Sequence, residues 1–262
     1  MLRPRIIPCL LVHKNGLVKT VNFKNPKYVG DPINAVRIFN EKEVDELMVL
    51  DIDATSNHNE PDYKMIGHLA SECRMPLCYG GGIKTSEQAE RIFSLGVEKV
   101  ALSSIAIEKP QLISEIANIV GNQSVVIVID VKKHAFTGKY EIRTHNGLMS
   151  TGLNPFEFAE KMEKLGAGEI VINSIDNDGV MKGYDLSLVE RMKKLVNVPL
   201  TVLGGAGSLE DIGELIKLHG TLGAAAGSLF VFKGKFKAVL INYPTRDERD
   251  RLVKDNLLAN IM

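Results

Sequence analysis

Apolar residues gather in eight short runs along the chain, at 5–12, 47–53, 76–80, 98–103, 124–131, 169–175, 198–204 and 222–227. Most are continuous stretches of Val, Ile, Leu and Ala rather than alternating ones. That pattern marks parallel strands whose outer surface is covered by helices. The segments between them change period. DPINAVRIFNEKEV, TSEQAERIFSLGV, NPFEFAEKMEKLGA and SLEDIGELIKLHG carry apolar residues at helical spacing, and several open on a capping Asp, Thr, Asn or Ser. Eight strands alternating with helices, with no composition break, predict an α/β fold: a closed (β/α)8 TIM barrel over residues 1–243.

The pattern also repeats at half length. DIDATS at 51–56 matches DNDGVM at 176–181, an offset of 125 residues. The glycine triplets of MPLCYGGGI and VPLTVLGGAG are 124 apart, as are LGVEKVALSSIAI and HGTLGAAAGSLFV. One spacing shared by several markers predicts two half-barrels, about 1–122 and 123–243. The first strand, RIIPCLLVH, and the fifth, SVVIVIDVKK, are partners in this repeat, yet Asp130 stands in one where Leu11 stands in the other. After Pro244 the segment YPTRDERDRLVKDNLLANIM reads as a C-terminal helical extension over 244–262, with Leu252, Val253, Leu257, Leu258 and Ile261 near one side.

Charge narrows the possible partners. The chain has 32 basic and 32 acidic residues and a net charge of +0, which argues against a general nucleic-acid or anionic-membrane surface. Three cysteines without metal-ligand spacing predict a reduced, cytoplasmic setting. No apolar run reaches the roughly 18 residues of a membrane span. The six histidines share no metal-type spacing, so neither metal nor cofactor is called for.

Chemistry is expected where the strands end, because barrel enzymes build their sites on the loops beyond the C-terminal ends of the strands. Gly80, Gly81 and Gly82 close one strand, and Ser103 and Ser104 close the next. Glycines let backbone N–H groups approach an anion, and hydroxyls add donors. The second half repeats this with Gly204, Gly205, Ala206 and Gly207, then Gly227 and Ser228. Two symmetric cradles predict a long ligand carrying a phosphate at each end. Asp130, ending an apolar run inside a barrel, reads as an acid–base group, since an unpaired buried carboxylate is costly to keep without a use.

Taken with IIPCLLV, VVIVIDVKK, SIDNDGVMKGYD and GGAG, these residues resemble the cyclase subunit of imidazole glycerol phosphate synthase from histidine biosynthesis, over roughly residues 1–235. The resemblance implies a barrel paired as a heterodimer with a glutaminase subunit. The partner's ammonia crosses the barrel to meet a ribulose-type bisphosphate nucleotide at the mouth, where the ring closes. It makes Asp130 one of two catalytic carboxylates, Lys19 a mobile-loop lysine that closes over substrate, and Asp51 and Asp178 acidic neighbours of the ligand. A hairpin after strand five would cover the substrate, with Lys132 and Lys133 near a phosphate. Arg5, Glu46, Lys99 and Glu169, near the starts of strands one, two, four and six, match a charged gate at the ammonia entrance. Alternation puts Arg5 on one face with Ile7, Cys9 and Leu11, at the barrel base.

Leu11 occupies the position of the other catalytic carboxylate, and a hydrocarbon cannot exchange a proton. Ala101 and Leu203 replace usual serines, Ser103 an asparagine and Asn173 a threonine. Asp53, two residues past Asp51, is a candidate replacement for the lost acid. The altered mouth resembles a paralogous branch encoded with surface-polysaccharide genes, in which ammonia is supplied to a sugar amidotransferase. The expectation is a synthase-type subunit of a glutamine amidotransferase complex that conducts ammonia, with altered cyclase chemistry. The alternatives are a true cyclase, a non-catalytic scaffold that activates a glutaminase, and the sister sugar isomerase of histidine synthesis, against which Leu11 also counts.

Overall fold

A computed structural model describes residues 3–258. The chain opens with β1 (Arg5–His13), β2 (Gly16–Val21) and β3 (Lys24–Gly30), then α1 (Pro32–Glu41), β4 (Leu47–Asp51), α2 (Tyr63–Glu72), β5 (Leu77–Gly80) and α3 (Ser86–Ser94). There follow β6 (Lys99–Leu102), α4 (Ser104–Glu108), α5 (Gln111–Val120), β7 (Val125–Lys133), β8 (Tyr140–Thr144), β9 (Met149–Ser150) and α6 (Pro155–Lys164). The chain continues through β10 (Glu169–Ser174), α7 (Leu186–Lys193), β11 (Leu200–Leu203), α8 (Leu209–His219) and β12 (Gly223–Ala226). It ends with α9 (Ser228–Val231), β13 (Phe232–Lys233), β14 (Ala238–Val239) and α10 (Arg246–Leu258).

Eight of these strands pair in parallel in the order β1-β4-β5-β6-β7-β10-β11-β12, and β12 returns to β1, so the sheet closes without an open edge. Every apolar run predicted as a strand is one of the eight. The helices begin where short polar side chains cap them. Asp31 Oδ1 accepts the Asn34 N–H at 2.9 Å ahead of Pro32, and Asp62, Thr85, Asn154 and Asp185 do the same for α2, α3, α6 and α7. Ser208 and Asp211 form a reciprocal box at α8. Each such cap is worth about 1 kcal/mol.

Two apolar cores result. The larger lies between strands and helices, around Phe39, Leu69, Ile92, Ile127, Met162 and Ile216. The smaller fills the barrel itself with Ile7, Cys9, Met48, Cys78, Val126, Val128, Val171 and Ala225, and Leu11 and Leu50 lean on it from the mouth.

The C-terminal segment is not an appendage to the barrel. Among the described residues seven long helices precede it, and α10 packs on α8, where an added Cβ on Gly213 would lie 3.1 Å from Leu252. The buried Arg249 guanidinium pairs with Asp45, whose other oxygen accepts the Ile6 N–H at 2.9 Å. Tyr243 donates to the Ile6 carbonyl at 2.7 Å. α10 thus stands as the eighth outer helix, and it is fixed to the base of the first two barrel strands. Leu252 and Val253 face inward as the helical pattern predicts; the side chain of Leu258, and all of Ile261, lie outside the described residues.

Candidate active site at the barrel mouth

A cavity of about 450 Å³ opens at the C-terminal ends of the strands. β1 and β7, the corresponding strands of the two halves, both run long and fold back as hairpins. The β2–β3 hairpin reaches the loop after β10, where the Asn22 N–H donates to the Asp178 carbonyl at 2.9 Å. The hairpin after β7 reaches the loop after β4, where Asn146 Nδ2 donates to the Ile52 carbonyl at 3.0 Å. Each half therefore covers the mouth by docking on the other.

The register explains the asymmetry between the two long strands. Leu11 pairs with Leu50 of β4, and Asp130 pairs with Asn173 of β10. One side of the mouth is a hydrocarbon wall, while on the other Asn173 Nδ2 donates to Asp130 Oδ1 at 2.9 Å. Burial pushes the Asp130 carboxyl up to about 7, against the opposing pull of the Asn173 bond and with help from the negative Asp178. That value suits a group exchanging protons near neutrality. Asn173 Oδ1 is buried without a partner among the described residues, leaving an acceptor beside this carboxyl.

Lys19 lies on β2, not on a loop, and its side chain descends into the mouth. Its ammonium is buried and donates to the Cys9 carbonyl at 2.6 Å; a Cβ on Gly227 would come within 2.1 Å of Nζ. Burial lowers its pKa, and Asp178 offsets part of that. Asp178 is itself raised by burial while accepting from Thr20 Oγ1 at 2.7 Å. Asp51 caps its own loop, its Oδ1 accepting the Asp53 and Ala54 N–H groups at 2.9 and 3.1 Å.

The two glycine cradles differ. Gly80, Gly81, Gly82, Ser103 and Ser104 all line the cavity. Of the second cradle, Gly227 does so, and Gly204, Gly205 and Ser228 do not. Gly205 lies so close to the loop after β10 that a Cβ would sit 2.1 Å from the Gly183 carbonyl, and Gly81 is held likewise against Asp51. Close approach of neighbouring loops thus accounts for the triplets' repeat, and the first triplet alone also lines the cavity. Lys132 and Lys133 are turned elsewhere, toward Asp176 and the Tyr140 ring. Sequence reasoning passed over His13, which lines the cavity; its only signal was its place on the interior register of β1.

At the opposite end, Arg5, Glu46, Lys99 and Glu169 form a closed ring. Arg5 bonds Glu46 and, at 2.8 Å, Glu169; Lys99 Nζ donates to Glu46 at 2.8 Å and to Glu169 at 2.9 Å. Thr201 Oγ1 donates to Glu169 at 2.5 Å. Burial opposes the Glu169 charge, but Arg5 and Lys99 prevail and hold its pKa below the usual carboxylate value.

A closed parallel barrel with helices outside it, an acid at its mouth and a charged ring at its base is a protein of the (β/α)8 barrel class. Residues 5–237 match the family model described as histidine biosynthesis protein, and the chain belongs to that family. A Vibrio vulnificus protein with the provisional name imidazole glycerol phosphate synthase subunit hisF3 is 60% identical, over 97% of this chain and 98% of its own. A Leptospira interrogans relative, provisionally named imidazole glycerol phosphate synthase subunit HisF, is 58% identical over 96% and 99%. The imidazole glycerol phosphate synthase subunit HisF of Lactococcus lactis is 38% identical over 100% of this chain and 98% of its own. The Lactococcus lactis match covers the whole chain and so includes the C-terminal helix. Among the described residues no helix is long and apolar enough to cross a membrane.

Proposed function

We propose that this chain is the ammonia-conducting subunit of a glutamine amidotransferase complex. A glutaminase partner docks on the base, and ammonia enters beside the charged ring. The observation that carries the reading is the pairing of that ring with the apolar barrel interior and the Asp130 mouth beyond it. Uncharged ammonia loses little on entering such an interior, whereas an ammonium ion would leave water at heavy cost. Two buried carboxylates paired with two half-buried cations add little net stability as a plug compared with apolar packing, which favours a role in passage. The first glycine cradle, with Ser103 and Ser104, is the place for a ligand's phosphate.

The Leu11–Leu50 wall favours a second reading, in which ring closure is lost at this mouth and the nitrogen goes on to a sugar acceptor through a sugar amidotransferase.

The test is to purify the chain with its glutaminase and supply amide-labelled glutamine. The expected result is a stable heterodimer in which Lys99→Met changes glutamine-driven transfer while ammonium-driven transfer stays the same. A chain that neither binds the glutaminase nor alters its turnover overturns the reading.

A further inference from the structure

The mouth contains a second polar constellation on β1 and the loop after β4, and β1 stands four strands around the closed barrel from β7, which carries Asp130. On β1 the interior register runs Arg5, Ile7, Cys9, Leu11, His13, so His13 stands one step above the leucine that replaces an acid. Its Nδ1 lies 2.7 Å from Asp53 Oδ1. The other Asp53 oxygen accepts the Lys14 N–H at 2.8 Å, and the Asp53 N–H is held by Asp51 at 2.9 Å. The carboxylate is therefore locked, and it fixes the tautomer: Nδ1 carries the proton and donates, leaving the Nε2 lone pair unengaged by the described residues. His13, Asp53 and Asp130 all line the same cavity. The side chains of His13 and Asp53 are 27% and 22% exposed, so a ligand in the cavity can reach them.

We propose that the His13–Asp53 dyad is the second proton-transfer group of the mouth, standing in for the missing carboxylate at position 11, and that the acceptor is a phosphorylated ligand with a carbonyl-type carbon. This rests on the ammonia-conducting reading. The nitrogen lone pair forms the C–N bond while the C=O π pair moves to oxygen. His13 Nε2 takes one proton from the nitrogen, and the protonated Asp130 carboxyl gives one to the oxygen. The product is a carbinolamine; protonated His13 then gives its proton to the hydroxyl oxygen, which leaves as water, while the Asp130 carboxylate takes one from the nitrogen as the C=N bond forms, restoring both groups. An imidazole and a carboxyl divide the roles more unequally than two carboxyls, with His13 as base and Asp130 as acid. The other titratable groups lining this cavity are Asp51 at the end of β4, His58 on the loop after it, Lys84 beside the first cradle, Glu108 at the end of α4, Cys9 on β1, Lys19 on β2, His145 on the hairpin after β7 and Asp178 on the loop after β10.

The test uses the full chain in single turnover with ammonium chloride and the ribulose-type bisphosphate nucleotide of the histidine pathway as probe, from pH 5.5 to 9. Ammonium bypasses the glutaminase, so failure here is separable from failure of the partner reading. The unmodified chain should turn over measurably. His13→Gln keeps a donor to Asp53 but cannot take up a proton; it should lower the rate at least tenfold and change the dependence of rate on pH. Asp53→Asn should lower the rate while leaving the melting temperature near that of the parent. Adding Leu11→Asp to His13→Gln should restore most of the lost rate, which a merely structural histidine would not allow. No turnover by the unmodified chain, an unchanged pH profile in His13→Gln, or no rescue by Leu11→Asp each overturns the proposal.

Discussion

Replacing Asp130 with asparagine tests the central electrostatic claim through stability alone, without any substrate. In the folded chain burial holds the Asp130 carboxyl at about 7, against 3.8 for the ordinary group. The folded state therefore binds a proton more tightly than the unfolded state, and stability falls as pH rises through that window. Below the ordinary value both states are protonated and the group costs nothing. At 1.4 kcal/mol per decade, the full displacement would be about 4 kcal/mol of destabilisation above pH 7. The carboxyl opens onto a cavity that admits water, so about 1–2 kcal/mol is the expected share. The amide introduced by Asp130→Asn would accept from Asn173 in the same geometry without the charge. Urea unfolding of both proteins at pH 4.5, 6 and 8 measures the difference. The variant should be the more stable by about 1–2 kcal/mol at pH 8, with the difference shrinking toward pH 4.5 and vanishing below the ordinary carboxyl value. A difference that does not vary with pH, or a variant less stable at pH 8, would mean that Asp130 titrates as an ordinary carboxyl and cannot act as the acid.

Other perturbations probe the base, the closing helix and the loop packing. Lys99→Met leaves two buried carboxylates with Arg5 as their remaining cation, and should cost about 3 kcal/mol in chemical denaturation at neutral pH. Arg249→Ala removes the pair with Asp45 and a buried side chain; a loss of about 1–3 kcal/mol and faster protease cleavage near residue 245 are expected. Gly205→Ala puts a Cβ 2.1 Å from the Gly183 carbonyl at a φ of 124°, and should lower the melting temperature by several degrees as the loop after β10 is displaced.

The barrel was legible because its signals are local. Runs of Val and Ile, capping residues and a constant repeat spacing each report on a few neighbouring positions, and the closed sheet is what those pieces build. The charged ring was legible too, since alternation along β1 sends Arg5 inward, and the structure brings all four predicted residues into contact. Lys19 was placed on a loop because VKTV is too short and too polar a run to declare a strand; its pairing with β1 and β3 is what makes it one. The final helix read as an addition because nothing local says which surface of the barrel still lacks cover.

Sequence alone determined the fold and the asymmetry between Leu11 on the first strand and Asp130 on its repeat partner. Tertiary structure decided which groups meet. His13 and Asp53 are 40 positions apart and become a hydrogen-bonded pair because β1 and β4 lie side by side in one register. The two glycine cradles look alike as strings but differ in the round, since Lys19 crosses to Gly227 and none of the described residues crosses in the same way to the first. Periodicity fixes the direction in which a side chain points; only closure of the sheet fixes what it points at.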